Sequence, residues 1–372
     1  IGSDMNSINP LKKALKESGH IYVELKKMGA NGLDSINIGG GLAIEYSQFN
    51  RNIQYSLKEF SNDVVFTLKD ISEKNGVKPP HIFTESGRFI ASPGSVLIAP
   101  TLELFSSEYN ESNIRLKEIN PPIIEELHFL YNDITAENAK EYMHDSLEYF
   151  ESILTLFDLG YVDLTDRSNA EVLTNLIIKR AISLKHTTKD RELKILDDKI
   201  QEKYLLNFSI FQSLPDFWGI NQEFPIMPLT HLNQNASRSA NLLDITCDSD
   251  GEIPFEASKP LYLHDVDLTK EEYFLGFFLV GAYQDVLGMK HNLFSSPSQV
   301  NVIFDDEGMK MESFIKSQSI LDIFEDLDYN TNEIIDNLLK STNTEELKDI
   351  LREYLQDNGY LKTTKIEGKE YI

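Results

Sequence analysis

Two glycine-bearing turns constrain this chain more than any other feature. Asn37-Ile38-Gly39-Gly40-Gly41-Leu42 and Thr84-Glu85-Ser86-Gly87-Arg88 each follow a short apolar run and stand about one strand-helix-strand unit apart. That spacing predicts a parallel βαβ unit. Adjacent strands of a β/α barrel deliver their following loops side by side on one rim, and the loops after the last two strands are the usual place for a phosphate. Glycine lets backbone N–H groups approach the anion, and Arg88 adds a charged fork. Glu85, a carboxylate in the same turn, points to a ligand with a basic ring nitrogen as well as a phosphate. The triple glycine by itself says less. It lacks the Gly-x-Gly-x-x-Gly spacing of dinucleotide loops, and a plain tight turn explains it equally well.

The flanking pattern agrees with a barrel end. Residues 10–28 carry Leu11, Leu15, Tyr22 and Leu25 at helical spacing, closed by Gly29. Leu33 to Ile38 reads as a strand. Ser56 and Glu59 fit a capping box that opens a helix to about Asn75-Gly76, and His81 to Thr84 is the next strand. Residues 1–95 are therefore expected to be the end of a β/α barrel, with the remaining strands expected upstream of Ile1. From Ser95 to Leu104 the pattern becomes strand-like. Residues 121–203 read as a helical insertion, with Met143, Leu147, Phe150, Ile153, Leu154 and Phe157 in one apolar stripe. Ser168 and Glu171 read as a second capping box there. No catalytic constellation lies in that insertion, so packing or oligomer contact is its expected role.

Residues 96–120 and 204–312 predict a β-domain, a sandwich or barrel. Its short strands are expected at Asn207–Phe211, Leu242–Thr246, Tyr273–Val280 and Val300–Phe304. Residues 313–372 return to helix, with Leu347, Ile350, Leu351, Tyr354 and Leu355 as the stripe. The fold class is α/β followed by β, with two helical additions.

Charge and cysteine content narrow the partners. A formal net charge of −25 argues against nucleic acid or an anionic membrane, and it suits a cationic substrate. One cysteine cannot form an internal disulfide, which predicts a reducing cytoplasm. The apolar run Tyr273 to Val280 is too short to span a bilayer, and no basic-plus-apolar segment suggests a secretion signal.

Thr246-Cys247-Asp248-Ser249-Asp250-Gly251 is the other dense patch. Set as a calcium loop, it would put Thr246 first and Ala257 twelfth, where carboxylates are needed, so calcium is rejected. Cys247 beside acids at a strand end is a candidate proton donor or nucleophile; a structural cysteine is the plainer alternative. The eight histidines show no metal-ligand spacing. Tyr283, in Gly281-Ala282-Tyr283-Gln284, follows the most apolar strand and either points a phenol into a pocket or packs.

Taken in order, these residues resemble the fold-type III, pyridoxal-phosphate-dependent basic amino-acid decarboxylases, and within them the biosynthetic arginine-specific branch. The segments that carry the resemblance are Ile38–Leu42, Glu85–Arg88, Asn207-Phe208-Ser209-Ile210-Phe211-Gln212-Ser213-Leu214-Pro215-Asp216, Asp244–Gly251 and Leu279–Gln284. The Phe-Gln-Ser-Leu-Pro-Asp and Cys-Asp-Ser-Asp-Gly stretches are far more specific than the glycines.

The resemblance implies an alanine-racemase-like β/α (TIM) barrel and conversion of L-arginine to agmatine and CO2 in putrescine and spermidine synthesis. It implies that Gly39, Gly40, Gly41, Gly87, Arg88 and Tyr283 hold the phosphate of pyridoxal 5'-phosphate, with Ser3 also touching the cofactor. Glu85 would pair with the ring nitrogen. Cys247 would return the proton after CO2 leaves, reaching the site of a neighbouring subunit in a homodimer or larger assembly such as a tetramer. Asp216 and Asp248 would hold the substrate's distal cation, and magnesium is expected. The Schiff-base lysine and a histidine stacked on the ring are expected before Ile1. Decarboxylation of ornithine, diaminopimelate or carboxynorspermidine stays open, as does a catalytically silent regulator.

Overall fold

The computed structural model describes residues 5–46, 53–105, 109–185, 201–255 and 259–361. Helix α1 (Asn9–Lys27) buries Leu11, Leu15, Tyr22 and Val23, each at most 3% exposed. An apolar side chain so covered contributes about 1.5–3 kcal/mol. The helix ends where expected, with Gly29 at φ +100°. Strand β1 (Ser35–Asn37) leads through α2 (Leu57–Lys74) to β2 (His81–Phe83), and β1 pairs β2 in parallel, Ile36 opposite Ile82. Helices α1 and α2 pack together over Ile38 and Leu42. The βαβ unit read from the sequence is present.

The Ser56 cap forms as predicted: its hydroxyl accepts from the Glu59 N–H at 3.1 Å. Ser56→Ala is expected to cost about 1 kcal/mol in urea unfolding. A loss within error would remove that cap from the energetics.

Strand β3 (Val96–Phe105) leaves this unit and enters the centre of a seven-stranded sheet. The other members are β4 (Glu202–Leu206), β5 (Ile226–Pro228), β6 (Arg238–Leu243), β7 (Glu252–Ile253), β8 (Leu261–Leu263) and β9 (Phe274–Phe278). The order is β5-β9-β3-β4-β6-β7, with β8 also on β6; only β4 and β6 run parallel. Tyr204, Leu206, Leu242, Leu263, Tyr273, Leu275 and Phe277 form its fully covered core. A separate hairpin, Gln299–Asp305 with Gly308–Ile315, carries strand across the expected 312/313 junction.

Between β3 and β4 stand α3 (Pro122–Asp133), α4 (Ala139–Asp158) and α5 (Leu164–Lys185), around a core of their own that includes Ile124, Leu127, Met143, Ile153, Leu173 and Ile177. Met143 and Ile153 of the predicted stripe are buried, and Leu147 and Phe150 pack against them. The second capping box is corrected. Helix α5 already runs from Leu164, so Ser168 lies inside it; the Asp163 carboxylate caps instead, accepting from Thr165 and Asp166 N–H groups at 2.9 and 3.1 Å. Among the described residues, three helices follow residue 319, ending with Glu345–Leu355. In that last helix Leu355 is buried, while Leu347, Ile350 and Tyr354 stay exposed. Among the described residues, no helix is long and apolar enough to cross a membrane.

The expected strand Asn207–Phe211 is also corrected. The strand stops at Leu206, and Ile210–Ser213 forms a helical turn. Phe208 N–H turns back to the Leu206 carbonyl, while Ile210 N–H donates to the Asp244 carboxylate at 2.8 Å. A side chain 34 residues away thus takes the donor that a strand would have used.

Candidate active site

The two glycine turns converge. Glu85 N–H donates to the Gly39 carbonyl at 2.9 Å, and Ile38 N–H to the Phe83 carbonyl. A Cβ on Gly40 would touch Glu85 Cβ at 3.8 Å and Ser86 N at 3.9 Å. Gly39 and Gly41 sit at φ +74° and +92°, a region closed to most side chains. Beside Gly39 and Gly87 there is open space, with nothing within 4 Å of a built Cβ. Among the described residues, the backbone N–H groups of Gly40, Gly87 and Arg88 donate to no partner. Ser86 lies in the left-handed region at φ 32°, and its hydroxyl pairs with that of Thr84. Strain of this kind gathers where a backbone is fixed for a ligand.

Asn37 is a residue that pattern reading left without a role. Its side chain donates to Glu85 Oε1 at 2.6 Å and accepts from Gly39 N–H at 2.8 Å. It sets both the carboxylate and the glycine turn. Its only sequence signal is its place two residues before the first glycine.

Arg88 is the hub. Its Nη2 meets Asp216 Oδ2 at 2.9 Å, its Nη1 donates to Tyr46 Oη at 3.3 Å, and its guanidinium lies 4.6 Å from the Tyr283 ring centre. Burial opposes the charge on Arg88, but the bonds to Tyr46 and Asp216 prevail and hold its pKa above the ordinary value. Tyr283 itself is at φ 70° and half exposed. Tyr46 Oη also bonds Ser92 Oγ at 2.6 Å, and Gln284 Nε2 donates to Asp216 Oδ2 at 3.0 Å. Neither Tyr46 nor Gln284 stood out in the sequence, because their partners are 42 and 68 residues away.

Asp216 therefore stands behind Arg88. It is 6% exposed and its carboxylate is taken by Arg88 and Gln284, which does not fit the expected seat for a substrate's distal cation. Asp248 is exposed. Its Oδ1 accepts from Asp250 N–H at 3.3 Å, and its Oδ2 lies 3.5 Å from His291 Nε2. The His291 ring packs on Phe211 at 4.2 Å, and Trp218 Nε1 donates to Asp250 at 3.2 Å. Cys247 is a free, exposed thiol. Thus Gly39, Gly40, Gly41, Glu85, Gly87, Arg88, Tyr283 and Asp216 form one cluster, and Cys247 with Asp248 occupy a second turn. Ser3 lies outside the described residues.

The donor set fits a phosphate: free backbone N–H groups, a guanidinium and open space meet at one rim.

Comparison with known proteins agrees. Residues 1–92 match the model of the pyridoxal-dependent decarboxylase pyridoxal-binding domain, and residues 117–198 that of the arginine decarboxylase helical bundle domain. The biosynthetic arginine decarboxylase of Phocaeicola vulgatus is 37% identical over 348 residues, covering 90% of this chain and 55% of that protein. The one from Bacteroides thetaiotaomicron is 38% identical over 352 residues, with the same coverage of 90% and 55%. The crystal structure of the Campylobacter jejuni biosynthetic arginine decarboxylase superposes with a TM-score of 0.88 at 55% identity, covering 97% of this chain and 62% of that one. A diaminopimelate decarboxylase from M. jannaschii shares the fold, with a TM-score of 0.52 at 13% identity, over 87% of this chain and 50% of that one. The chain spans about half the length of the curated relatives it matches. In sequence, fold and domain matches alike, the chain is similar to the pyridoxal-dependent decarboxylases, and most of all to biosynthetic arginine decarboxylases.

Proposed function

We propose that the protein containing this chain converts L-arginine to agmatine and CO2 with pyridoxal 5'-phosphate, as a step toward polyamines. The observation that carries the cofactor is the rim where Gly40, Gly87 and Arg88 keep backbone N–H groups free beside the Arg88 guanidinium. The likeness to arginine decarboxylases supports the substrate.

When bound, the cofactor supplies a sink for the electron pair freed as the carboxylate leaves. The chain's own residues do the rest. Gly39 to Gly41, Gly87 and Arg88 hold the phosphate, Tyr283 lies over the guanidinium, and Ser3 belongs to the same set through the family resemblance. Glu85, steadied by Asn37, is the carboxylate that would accept from the ring nitrogen and favour its charged form. Asp248 takes the guanidinium of the substrate, whose planar fork suits a carboxylate. Asp216 keeps Arg88 in place. Cys247 returns a proton to the carbon that lost CO2, across a homodimer interface, with a tetramer as the larger form. Magnesium enters on the resemblance alone: among the described residues no group of three or more His, Cys, Asp or Glu is arranged to hold a metal. A cytoplasmic setting accords with the single unpaired cysteine. The proposed units are the barrel end (1–95), the β-domain (96–120 and 204–312), the helical insertion (121–203) and the helical tail (313–372); the separate cores on the sheet and in the bundle support the first cuts.

The test is agmatine formation from arginine by the full-length protein with pyridoxal phosphate. Brisk turnover of ornithine or diaminopimelate with none of arginine would sink the substrate assignment. Cys247→Ala is expected to keep the cofactor but misplace the proton. Protonation at the wrong atom would divert the product from agmatine to an aldehyde, with the amino group retained by the cofactor. An unchanged product would take Cys247 out of the reaction.

A further inference from the structure

Asp244 opens the Asp244–Gly251 segment, and in the fold it has the geometry of a positioning residue. It is 4% exposed and lies at the end of β6, three residues before Cys247. Its Oδ1 accepts from both the N–H and the hydroxyl of Thr246, at 2.9 and 2.7 Å. Its backbone N–H closes the turn by donating to the Gly251 carbonyl at 2.9 Å. Gly251 is pressed onto it: a Cβ there would come within 2.1 Å of Asp244 Oδ1. The turn that carries Cys247 and Asp248 is thus wrapped around this carboxylate.

The other oxygen serves a different segment. Oδ2 accepts from Ile210 N–H at 2.8 Å, at the start of the helical turn Ile210–Ser213 that leads into Pro215 and Asp216. A backbone bond from Ile245 N–H to the Phe208 carbonyl runs beside it. From the 210–220 segment, Asp216 reaches Arg88 and Trp218 reaches Asp250. One buried carboxylate therefore ties the Cys247 turn to the segment that braces the phosphate rim.

We infer that Asp244 positions Cys247 for its proton delivery by fastening its turn to the Ile210–Asp216 segment. This rests on the reading of Cys247 given above. An aspartate can accept all three donors, whereas an asparagine of the same shape must turn its NH2 group against a backbone N–H, that of Ile210 or that of Thr246; the Thr246 hydroxyl alone could rotate to accept. Burial leaves that misfit no water to relieve it. The turn then moves, and a displacement near 1 Å is enough to lower a rate by about 100-fold.

The experiment uses the full-length protein loaded with pyridoxal phosphate, in four forms: wild type, Asp244→Asn, Cys247→Ala and the double variant. Agmatine and aldehyde are measured together, with cofactor affinity alongside. Asp244→Asn is expected to raise the aldehyde-to-agmatine ratio about tenfold, a fraction of the full displacement effect, while cofactor affinity stays at the wild-type value. In the Cys247→Ala background the same substitution is expected to leave the ratio within about twofold, because its effect runs through the thiol. A wild-type ratio in Asp244→Asn overturns the inference, and so does an equal change in both backgrounds. An unchanged ratio in Cys247→Ala overturns the role of the thiol itself, and the inference falls with it; the two failures are told apart by which single variant is silent. Should Asp244→Asn not fold, Thr246→Val removes only the hydroxyl donor, and the same ratio is expected to shift in the same direction by less. No shift there counts against Asp244.

Discussion

Arg88→Gln is expected to lower the unfolding free energy by about 3 kcal/mol, read from the shift of the urea midpoint. The pair it breaks is covered on both sides, with the Arg88 side chain 15% and the Asp216 side chain 7% exposed. An exposed ion pair is worth little, but removing one partner of a covered pair leaves the other charge without compensation. Asp216 would keep one donor, Gln284 Nε2 at 3.0 Å, which does not neutralise it. Adding Asp216→Asn is therefore expected to recover most of the loss, since the carboxamide oxygen can still accept from Gln284 without carrying charge. A double variant as unstable as the sum of its singles would contradict the pairing.

The second large effect comes from a glycine with no room beside it. A Cβ on Gly281 would lie 2.1 Å from the Ala91 carbonyl oxygen, 3.1 Å from that of Ser92 and 3.1 Å from Ser95 N. All three are backbone atoms, so no side chain can swing aside. The segment 91–95 joins the Arg88 turn to β3, and Gly281 N–H donates to the Ser92 carbonyl at 3.0 Å. Gly281→Ala must push these two strands of the chain apart, at an expected cost of about 3 kcal/mol. It also moves Tyr283 away from Arg88, so weaker cofactor retention should accompany the lost stability. Gly94→Ala is the control, because nothing lies within 4 Å of its built Cβ. The control is expected within about 0.5 kcal/mol of wild type in the same unfolding assay. If the two variants behave alike, the close approach is not real.

What the sequence made readable was local. Gly29 closes its helix and Gly39 and Gly41 make their turn, all three with left-handed backbone, and the Ser56 cap and the parallel β1–β2 pair follow from spacing alone. What stayed hidden depends on partners far along the chain. Asn207–Phe211 has a strand-like composition, yet Asp244 claims the Ile210 N–H and bends it into a helical turn. Ser168 and Glu171 have the spacing of a cap, but Asp163 caps the helix earlier. Asp216 carries a motif that suggests an open acid, while Arg88, 128 residues before it, occupies that acid in the fold. Tyr46 lies outside every quoted motif, and Gln284 and Asp244 lie inside two of them without an assigned role; what the three do appears only when the turns are brought together.

One comparison bears on the phosphate rim itself: equilibrium binding of pyridoxal 5'-phosphate and of pyridoxal, which lacks the phosphate, to the full-length protein and to Arg88→Gln. A charge-assisted bond from Arg88 to the phosphate predicts a loss of about 10- to 100-fold for the phosphorylated form in the variant, with pyridoxal binding unchanged. Equal losses for both compounds, or none for either, would show that the Arg88 guanidinium does not hold that group.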